Sequence, residues 1–468
     1  MGIIYNEKAR TFTLHTQNTT YQMQIDAYGF LLHLYYGRKT DGVMDYLLTY
    51  ADRGFSGNPQ DTGNDRTYSL DVLPQEFPCR LTGDFRSPVL DLVNADGSFG
   101  CDLRYQGYEI CDGKYNLKGL PAVYAAEEEA QTLIIYMKDQ VTGLQVELLY
   151  GVLPEYDVIT RSAKLINDGE NAVQIRRLMS CQVDFPTSDH VFTSFHGAWA
   201  REMRRWDVPV AAGKYVNASY TGTSSSRANP FVMLSGRETT EDTGDCYGFN
   251  LVYSGNHYEA VEVNSYGKTR FVSGINPQNF CWQLPAGESF EAPEAVMAYS
   301  KAGYNGMSQC MHRFVREHIV RGAWKKKVRP VLLNSWEAAY FDINEKKLLQ
   351  LAKAGKEAGI ELFVMDDGWF GHRDNDRSSL GDWKVNTKKL PNGLAGLCKK
   401  INDLGMDFGI WVEPEMVNVD SGLYQAHPDW AMDIPGKNHS EGRNQRLLDL
   451  SRAEVQDYII CLLYTSDA

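Results

Sequence analysis

The stretch Glu361-Leu-Phe-Val-Met-Asp-Asp-Gly-Trp-Phe370 decides the fold of its half of the chain, because an apolar strand ends in it on two adjacent carboxylates. Apolar residues run directly up to Asp366 and Asp367, which predicts a buried parallel strand with both acids at its carboxyl end. In barrel enzymes ligands bind at this end of the strands. Carboxylates accept hydrogen bonds from neighbouring hydroxyls and an indole covers a face of C–H groups, so the stretch suits a sugar. An exposed loop with two capping acids is the alternative.

Strands of this kind, each followed by a helix, are predicted four times after residue 325. The strands lie at 331–336, 362–365, 408–412 and 446–450. The first helix is capped by Asn344 and stops at Gly359. The others run from Leu394 to Gly405, around 421–426, and from a cap at Ser451 to about Ile460. This alternation predicts the first half of a (β/α)8 TIM barrel. A doubly wound open sheet would alternate in the same way, but no Gly-x-Gly-x-x-Gly motif follows any of these strands.

The chain before residue 300 has the pattern of an all-β domain. Strand-like runs, broken by Gly, Asn or Asp, occur at 132–138, 144–150, 158–166 and 173–179, for example. So many strands predict a large sandwich of two antiparallel sheets, a β-supersandwich. Apolar residues at helical spacing between Met307 and Val320 predict a linking helix at its end. We therefore predict a sandwich domain at 1–325 and a partial catalytic barrel at 326–461.

Composition indicates a soluble globular protein and argues against some partners. The 468 residues exceed one ordinary core, and 43% hydrophobic with 23% charged residues are typical of globular proteins. A net charge of −13 argues against a nucleic-acid or anionic-membrane partner. Neither a leader nor a membrane-spanning run is recognisable, so a cytoplasmic location is the default expectation. Nine scattered cysteines, never in a Cys-x-x-Cys pair, predict neither a disulfide framework nor a zinc site.

Chemically active side chains recur at the ends of the predicted strands. In chain order they are Trp336, Glu337, Asp366, Asp367, Trp411, Glu413, Glu415, Arg443 and Asp449. Each alone has a structural alternative, since tryptophans pack in cores, Glu413 could support a neighbour and Asp449 could cap a helix. Their recurrence at successive strand ends predicts one ligand site. A hard cation accepts carboxylate ligands, but histidine is absent from these strand ends, so we predict no metal and no cofactor.

Longer motifs of the chain resemble a known family. The second half contains Asn334-Ser-Trp-Glu-Ala338, Leu362-Phe-Val-Met-Asp-Asp-Gly-Trp-Phe-Gly371, Ser379-Leu-Gly-Asp-Trp383, Gly409-Ile-Trp-Val-Glu-Pro-Glu-Met416, His427-Pro-Asp-Trp430 and Glu441-Gly-Arg-Asn-Gln445. The first half contains Asp52-Arg-Gly-Phe-Ser56, Gly83-Asp-Phe-Arg86 and Gly197-Ala-Trp-Ala-Arg-Glu202. Together they strongly resemble the family 36 glycoside hydrolases, specifically bacterial tetrameric α-galactosidases, over nearly everything to about Ile460.

The resemblance implies retaining hydrolysis of terminal α-linked galactose from melibiose, raffinose and stachyose. Asp366 and Asp367 would bind hydroxyls of the galactose ring, and Arg443 would donate to it. Trp336 and Trp411 would wall the pocket. The two aspartates would thus be binding residues, since adjacent residues of a strand point in different directions and cannot flank a glycosidic bond.

Two further contacts are implied for the first half of the chain. Trp199 matches a family contact that reaches in from the sandwich domain. Asp52 matches a contact supplied by a neighbouring subunit. This second match implies that the full-length protein is a homotetramer whose activity depends on assembly.

The resemblance also implies where the catalytic residues would be. The family carries its nucleophile in a Lys-Trp-Asp-type motif after the fourth strand and its acid/base beyond a Cys-Ser-Gly stretch, and neither motif occurs in the 468 residues. We therefore expect both catalytic aspartates beyond residue 468, an inactive chain, and a non-family tail at 462–468. The alternatives are a non-catalytic galactoside-binding fragment and a related α-N-acetylgalactosaminidase or transferase.

Overall fold

The computed structural model describes residues 2–55 and 57–466, and the chain divides into two compact units. We term Met1–Lys325 the sandwich unit and Lys326–Ala468 the α/β unit. The division falls within the basic run 325–327.

The sandwich unit consists mainly of antiparallel strands. They are β1 Ile3–Asn6, β2 Thr11–His15, β3 Thr19–Ile25, β4 Leu31–Arg38, β5 Leu90–Val93, β6 Arg104–Asp112, β7 Gln131–Lys138, β8 Leu144–Leu153, β9 Val158–Asn167, β10 Val173–Phe185, β11 His190–His196, β12 Arg204–Pro209, β13 Gly213–Ala218, β14 Phe231–Gly236, β15 Cys246–Val252, β16 His257–Val263, β17 Thr269–Ile275, β18 Trp282–Leu284, β19 Ser289–Glu291 and β20 Glu294–Ser300. Short 3₁₀ helices lie at Asp45–Leu47, Gln60–Thr62, Glu127–Glu129, Pro154–Tyr156 and Ala323–Lys325. Helix α1, Gly303–His318, contains the predicted linking helix except for its last two residues and begins four residues earlier.

Two of the sheets pack face to face. The longer has the order β12-β11-β14-β15-β20-β9-β8-β7-β6 and the second β13-β16-β17-β10-β18, while β1-β2-β3-β4 form a separate sheet. Phe249 of β15 stacks on Phe271 of β17 with ring centroids 3.9 Å apart. Cys181 Sγ of β10 lies 3.3 Å from Met297 Sδ of β20. All four side chains are buried, so the predicted sandwich is confirmed.

A cluster of buried charges crosses the second sheet. Arg270 of β17 donates from Nε to Asp184 Oδ1 of β10 at 2.7 Å and from Nη2 to Asp184 Oδ2 at 2.8 Å. Arg270 Nη2 also lies 2.9 Å from Asp84 Oδ2, and Arg86 Nε lies 2.9 Å from Asp84 Oδ1. Burial raises the pKa of Asp184, but Arg270 and Arg86 together lower it more, so the pKa of Asp184 lies well below its usual value.

His190 of β11 should make the sandwich unit sensitive to acid. Neither of its ring nitrogens has a hydrogen-bond partner among the described residues, and burial lowers the pKa of His190 to about 4. Below about pH 6.5 the unfolded chain binds this proton and the folded chain does not, so stability falls by at most about 1.4 kcal/mol per pH unit down to about pH 4. We expect His190→Leu to flatten this slope, measured by urea unfolding between neutral and mildly acidic pH.

The control for this prediction is His312→Leu, on the exposed face of α1. It removes a histidine without changing a buried site and should leave the slope unaltered. A slope that is the same in wild type and His190→Leu would show that His190 does not titrate as described.

The α/β unit contains parallel strands joined by helices, and a separate antiparallel pair. Its strands are β21 Leu332–Asn334, β22 Leu362–Met365, β23 Asp407–Ile410, β24 Met416–Asn418 and β25 Gln445–Leu447. Its helices are α2 Trp336–Ala339, α3 Glu345–Glu357, α4 Gly393–Asn402, α5 Gly422–Ala426 and α6 Ala453–Ser466, with a 3₁₀ helix at Pro428–Trp430. Strands β21, β22 and β23 pair in parallel in that order, which confirms a partial α/β domain.

The prediction that residues 446–450 add a fourth strand to the parallel sheet is wrong. Residues Gln445–Leu447 form β25, which pairs antiparallel with β24. Met416–Asn418, for which the sequence analysis predicts no element, supplies the ladder partners of β25. The parallel sheet of the described residues therefore contains the first three predicted strands.

Side-chain caps fix the starts of two helices. Asn344 Oδ1 accepts a hydrogen bond from Lys347 N at 3.0 Å at the start of α3, as predicted. Ser421 Oγ accepts one from Tyr424 N at 3.1 Å at the start of α5. Gly359, with a φ of 87°, follows α3 where the sequence predicts its end.

The last helix differs from its prediction at the start. It begins at Ala453, and Ser451 does not cap it but donates from Oγ to Asp449 Oδ1 at 2.6 Å. The predicted cap is therefore wrong. Residues 462–466, within the expected tail, continue α6. In the part of the chain that the structure describes, no helix has the length and apolar character needed to span a bilayer.

Candidate functional site

Asp366 leaves β22 with its carboxylate held in one orientation. Asn334 Nδ2, at the end of β21, donates to Asp366 Oδ2 at 2.6 Å. Asp367 N donates to Asp366 Oδ1 at 2.8 Å, and Ser335 Oγ accepts from Asp366 N at 3.0 Å. Because a carboxylate oxygen has two acceptor positions, each oxygen keeps one beyond these described partners. The half-buried Asp366 can therefore accept hydrogen bonds from two ligand hydroxyls.

Asp367 forms a buried ion pair with Arg373, a residue that the sequence analysis did not single out. Arg373 Nε donates to both carboxylate oxygens of Asp367, at 3.0 and 3.1 Å, and Nη2 donates to Oδ2 at 2.8 Å. Gly368 N adds a bond to Oδ1 at 2.7 Å. Asp367 is 4% exposed and Arg373 0%. Counted as for Asp366, these contacts reach all four acceptor positions of Asp367, so a ligand hydroxyl must share one of them with an N–H donor.

Arg443 is carried by a turn that most residues avoid. Arg443 and Asn444 both have a φ of 55°, and Gln445 N donates to Gly442 O at 2.9 Å, as in a type I′ turn. A left-handed conformation costs a non-glycine residue roughly 1–2 kcal/mol. Arg443 Nη2 donates to Glu413 Oε1 at 3.0 Å, and 48% of the arginine side chain is exposed. The remaining guanidinium donors can therefore serve a ligand.

Asn418, the last residue of β24, joins these two features and was also missed by the sequence analysis. Its Oδ1 accepts from Arg373 Nη1 at 3.1 Å and from Leu380 N at 2.9 Å. Its Nδ2 donates to Arg443 O at 3.3 Å and to Asn444 O at 2.8 Å. The side chain is fully buried. One amide thus links the buried ion pair to the turn that carries the arginine.

Glu413 supports Arg443, which is the structural alternative that its sequence position left open. Its side chain is 12% exposed. Burial raises the pKa of Glu413, the positive charge of Arg443 opposes this rise, and the negative charge of Glu415 adds to it. A proton on Glu413 would weaken its acceptance from Arg443, so acidification should loosen this contact.

The tryptophan beside the two aspartates belongs to the core. Trp369, which the sequence analysis expected to cover a ligand, is 3% exposed and donates from Nε1 to Trp411 O at 3.0 Å. That expectation is wrong because its ring packs against Phe370, at 5.1 Å between centroids. Trp336 and Trp411, at two other strand ends, remain partly exposed and can still contact a ligand.

Lys389 fixes the loop that follows β22, and no sequence signal distinguished it from other lysines. Its Nζ donates to Phe341 O at 3.2 Å, Gly368 O at 2.9 Å and Arg373 O at 3.1 Å. It also pairs with Asp374 Oδ1 at 2.7 Å. These bonds hold together the backbone on both sides of the buried ion pair.

Two of the other strand-end acids have local partners. Glu337 is exposed and accepts from Tyr340 Oη at 3.1 Å. Asp449 accepts from Ser451 N at 3.1 Å as well as from its hydroxyl, so the local structural alternative for Asp449 is observed. Among the described side chains, no group of His, Cys, Asp or Glu has an arrangement suited to a metal ion.

Asp52 and Trp199 lie in the sandwich unit and are exposed. Asp52 Oδ1 lies 2.9 Å from Arg66 Nη2 and accepts from Gly54 N at 2.7 Å. Trp199 is 90% exposed. Both side chains are therefore accessible to another molecule.

The chain is a sandwich followed by a partial α/β domain, which carries acceptor carboxylates, an arginine donor and indoles near strand ends. These features place it in the class of carbohydrate-active proteins. Comparison with protein families specifies this further. The glycosyl hydrolase family 36 N-terminal domain matches residues 29–285 and the melibiase family matches residues 289–465. The chain belongs to glycosyl hydrolase family 36.

The relatives that the chain resembles are α-galactosidases. It is 49% identical to the bifunctional α-galactosidase/sucrose kinase of Mediterraneibacter gnavus, over 99% of this chain and 50% of that protein. It is 47% identical to an α-galactosidase of Geobacillus stearothermophilus, over 98% of this chain and 63% of the relative. A variant of the Geobacillus enzyme, solved in complex with raffinose, superposes with a TM-score of 0.96 at 46% identity and covers 98% of this chain and 64% of that one. The chain thus spans half to two thirds of these relatives.

Proposed function

We propose that the protein at its full natural length is an α-galactosidase that hydrolyses terminal α-D-galactosides of the melibiose, raffinose and stachyose type with retention of configuration. Family membership supports the reaction, and the raffinose complex of a relative supports the substrate class. Retention requires two carboxyl groups roughly 5 Å apart, one to attack the anomeric carbon and one to protonate the leaving oxygen.

The observation that carries the proposal is the set of hydrogen-bonding groups at the ends of neighbouring strands. Asp366 retains acceptor positions on both oxygens, and Arg443 retains guanidinium donors on a turn that Asn418 links to the Asp367–Arg373 pair. Trp336 and Trp411 provide partly exposed indoles. A pyranose has hydroxyls around its edge and C–H groups on its faces, so acceptors, a donor and aromatic rings match both kinds of surface.

We propose that Asp366 and Asp367 bind the sugar and that other carboxyl groups perform the catalysis. Asp367 is engaged by Arg373, and Asp366 is engaged by Asn334. Glu413 is similarly engaged by Arg443. We propose that residues 1–468 expressed alone give no turnover above background, because the Lys-Trp-Asp-type and Cys-Ser-Gly motifs that the family resemblance implies for the catalytic residues do not occur in them.

The proposal is tested by the hydrolysis of chromogenic aryl glycosides. At full natural length the protein should release the aryl group from the α-galactoside and hydrolyse raffinose, and it should leave the aryl β-galactoside intact. Comparison with the aryl α-N-acetylgalactosaminide distinguishes the related specificity. Absence of turnover with every α-galactoside would refute the proposal, and a preference for the N-acetylated substrate would redirect it.

We also propose that the full-length protein is a cytoplasmic homotetramer in which Asp52 of one subunit reaches the site of its neighbour. The exposure of Asp52 supports this arrangement, as does the family resemblance, in which this position contacts a neighbouring subunit. Light scattering measures the oligomeric state. Mixing an Asp52→Ala protein with an Asp366→Ala protein should restore some activity, because a mixed assembly contains sites that combine an intact Asp52 with an intact Asp366.

A further inference from the structure

The turn that carries Arg443 requires an explanation, since neither central residue is a glycine. Both Arg443 and Asn444 have a φ of 55°. Turns with two left-handed residues favour Asn-Gly or Asp-Gly, and a long side chain at the first position is unfavourable. A conformation of this kind persists only where its surroundings stabilise it, and it often marks a functional position.

Asn418 supplies that stabilisation from the neighbouring strand. It lies opposite Gln445 in the antiparallel pair of β24 and β25, which brings its side chain beside the turn. Its Nδ2 donates to the carbonyl oxygens of both left-handed residues, at 3.3 Å for Arg443 and 2.8 Å for Asn444. On its other side, Oδ1 accepts from Arg373 Nη1 at 3.1 Å.

We infer that Asn418 is a positioning residue for sugar binding, which holds Arg443 and the Asp367–Arg373 pair in fixed relative positions. The inference rests on the proposed function, because it takes Asp367 and Arg443 as groups that contact the galactose. Without Asn418, the turn loses its two donors and the arginine no longer faces the sugar in one orientation. The side chain of Arg443 must then become ordered when the galactose binds, and this ordering weakens the binding.

An amide is required at this position because the site needs an acceptor on one side and a donor on the other. An aspartate has the same shape and retains the acceptor for Arg373 and Leu380 N. It has no donor for the turn, and its second oxygen would face the carbonyls of Arg443 and Asn444. Asn418→Asp thus removes one half of the link and leaves the other half in place.

The first test compares Asn418→Asp with wild type, using an aryl α-galactoside and the protein at full natural length. We expect KM to rise about tenfold or more with a smaller change in kcat, because a contact made in both ground state and transition state is weakened. Val417→Ala is the matched control, since Val417 is the preceding residue of β24, is fully buried and packs in a different cluster. It should lower the melting temperature and leave KM unchanged. If Asn418→Asp also lowers only the melting temperature, its role is merely structural and the inference is overturned.

The second test asks whether Asn418 acts through Arg443. In a double-mutant cycle, Asn418→Asp should change kcat/KM much less in an Arg443→Ala background than in wild type. Asn444→Gly should rescue Asn418→Asp to within about threefold of the wild-type KM, because glycine adopts the left-handed conformation without help. Additive effects in the cycle and no rescue would overturn the inference. A wild-type protein inactive on all α-galactosides would instead overturn the proposed function, so the two failures are distinguishable.

Discussion

Replacement of Asp367 by alanine is expected to lower kcat/KM for an aryl α-galactoside by about 10²- to 10⁴-fold in the protein at full natural length. The substitution removes an acceptor that we assign to a sugar hydroxyl. It also leaves the guanidinium of Arg373 buried without its carboxylate, which displaces the loop after β22. The measurement is steady-state hydrolysis, with inhibition by free galactose as a separate measure of binding.

Two companion variants separate binding from folding in this experiment. Asp366→Ala removes the freer of the two carboxylates and breaks no buried ion pair, so it should weaken galactose binding with little loss of stability. Asp403→Ala makes the same substitution directly after α4, where the carboxylate pairs with Lys399 and is 63% exposed, and should change neither property. Wild-type kinetics in both Asp366→Ala and Asp367→Ala would contradict the assignment of these acids to the sugar.

The sequence predicted local structure best where an element depends only on residues close to it in the chain. Strand β22 was predicted with the bounds that the structure shows, because its apolar run ends abruptly on Asp366. The cap at Asn344 and the end of α3 at Gly359 were predicted for the same reason, since both depend on hydrogen bonds or backbone freedom within a few residues. The sandwich followed from alternation and turn residues, which act over similarly short distances.

The fourth strand was mispredicted because its partner could not be read from its own residues. Met416–Asn418 has no strong strand pattern. The turn at Gly442–Gln445 has no glycine at its two central positions, where a glycine would have indicated left-handed residues. Pairing of β24 with β25 depends on contacts between residues 27 to 31 positions apart in the sequence. The periodicity of residues in one sequence indicates where a strand can form, but it does not indicate which distant segment pairs with it.

The carboxylates of the site could be predicted from the sequence, but the buried side chains that support them could not. Asp366 and Asp367 were found because carboxylates after an apolar strand are conspicuous. Arg373 and Asn418 lie in loop-like or weakly patterned sequence, and their roles depend on partners that come from other parts of the chain. Two carboxylates emerging from a buried strand still implied a nearby buried cation, because one of them had to be neutralised. That requirement was a signal for an arginine such as Arg373.

Replacement of Asp184 by asparagine is expected to reduce the stability of the sandwich unit by about 3–5 kcal/mol, because it leaves a buried charge without its partner. Arg270 would lose the carboxylate that it binds at 2.7 and 2.8 Å, and Arg270 and Arg86 would then share Asp84 alone. The measurement is urea unfolding, combined with hydrogen exchange of β10 and β17 to attribute the loss to this unit.

The matched control is Asp189→Asn, which makes the same substitution in the same unit at a carboxylate that also has an arginine partner. Asp189 Oδ1 lies 2.7 Å from Arg237 Nε, but its side chain is 75% exposed, so water replaces the lost contact and the cost should stay below about 1 kcal/mol. Equal losses in the two variants would mean that burial does not amplify the Asp184 interaction. A large loss at Asp184 alone would show that Arg270 and Arg86 can stay buried only while Asp184 and Asp84 are both ionised. The desolvation of each guanidinium is offset by the negative charge that it faces.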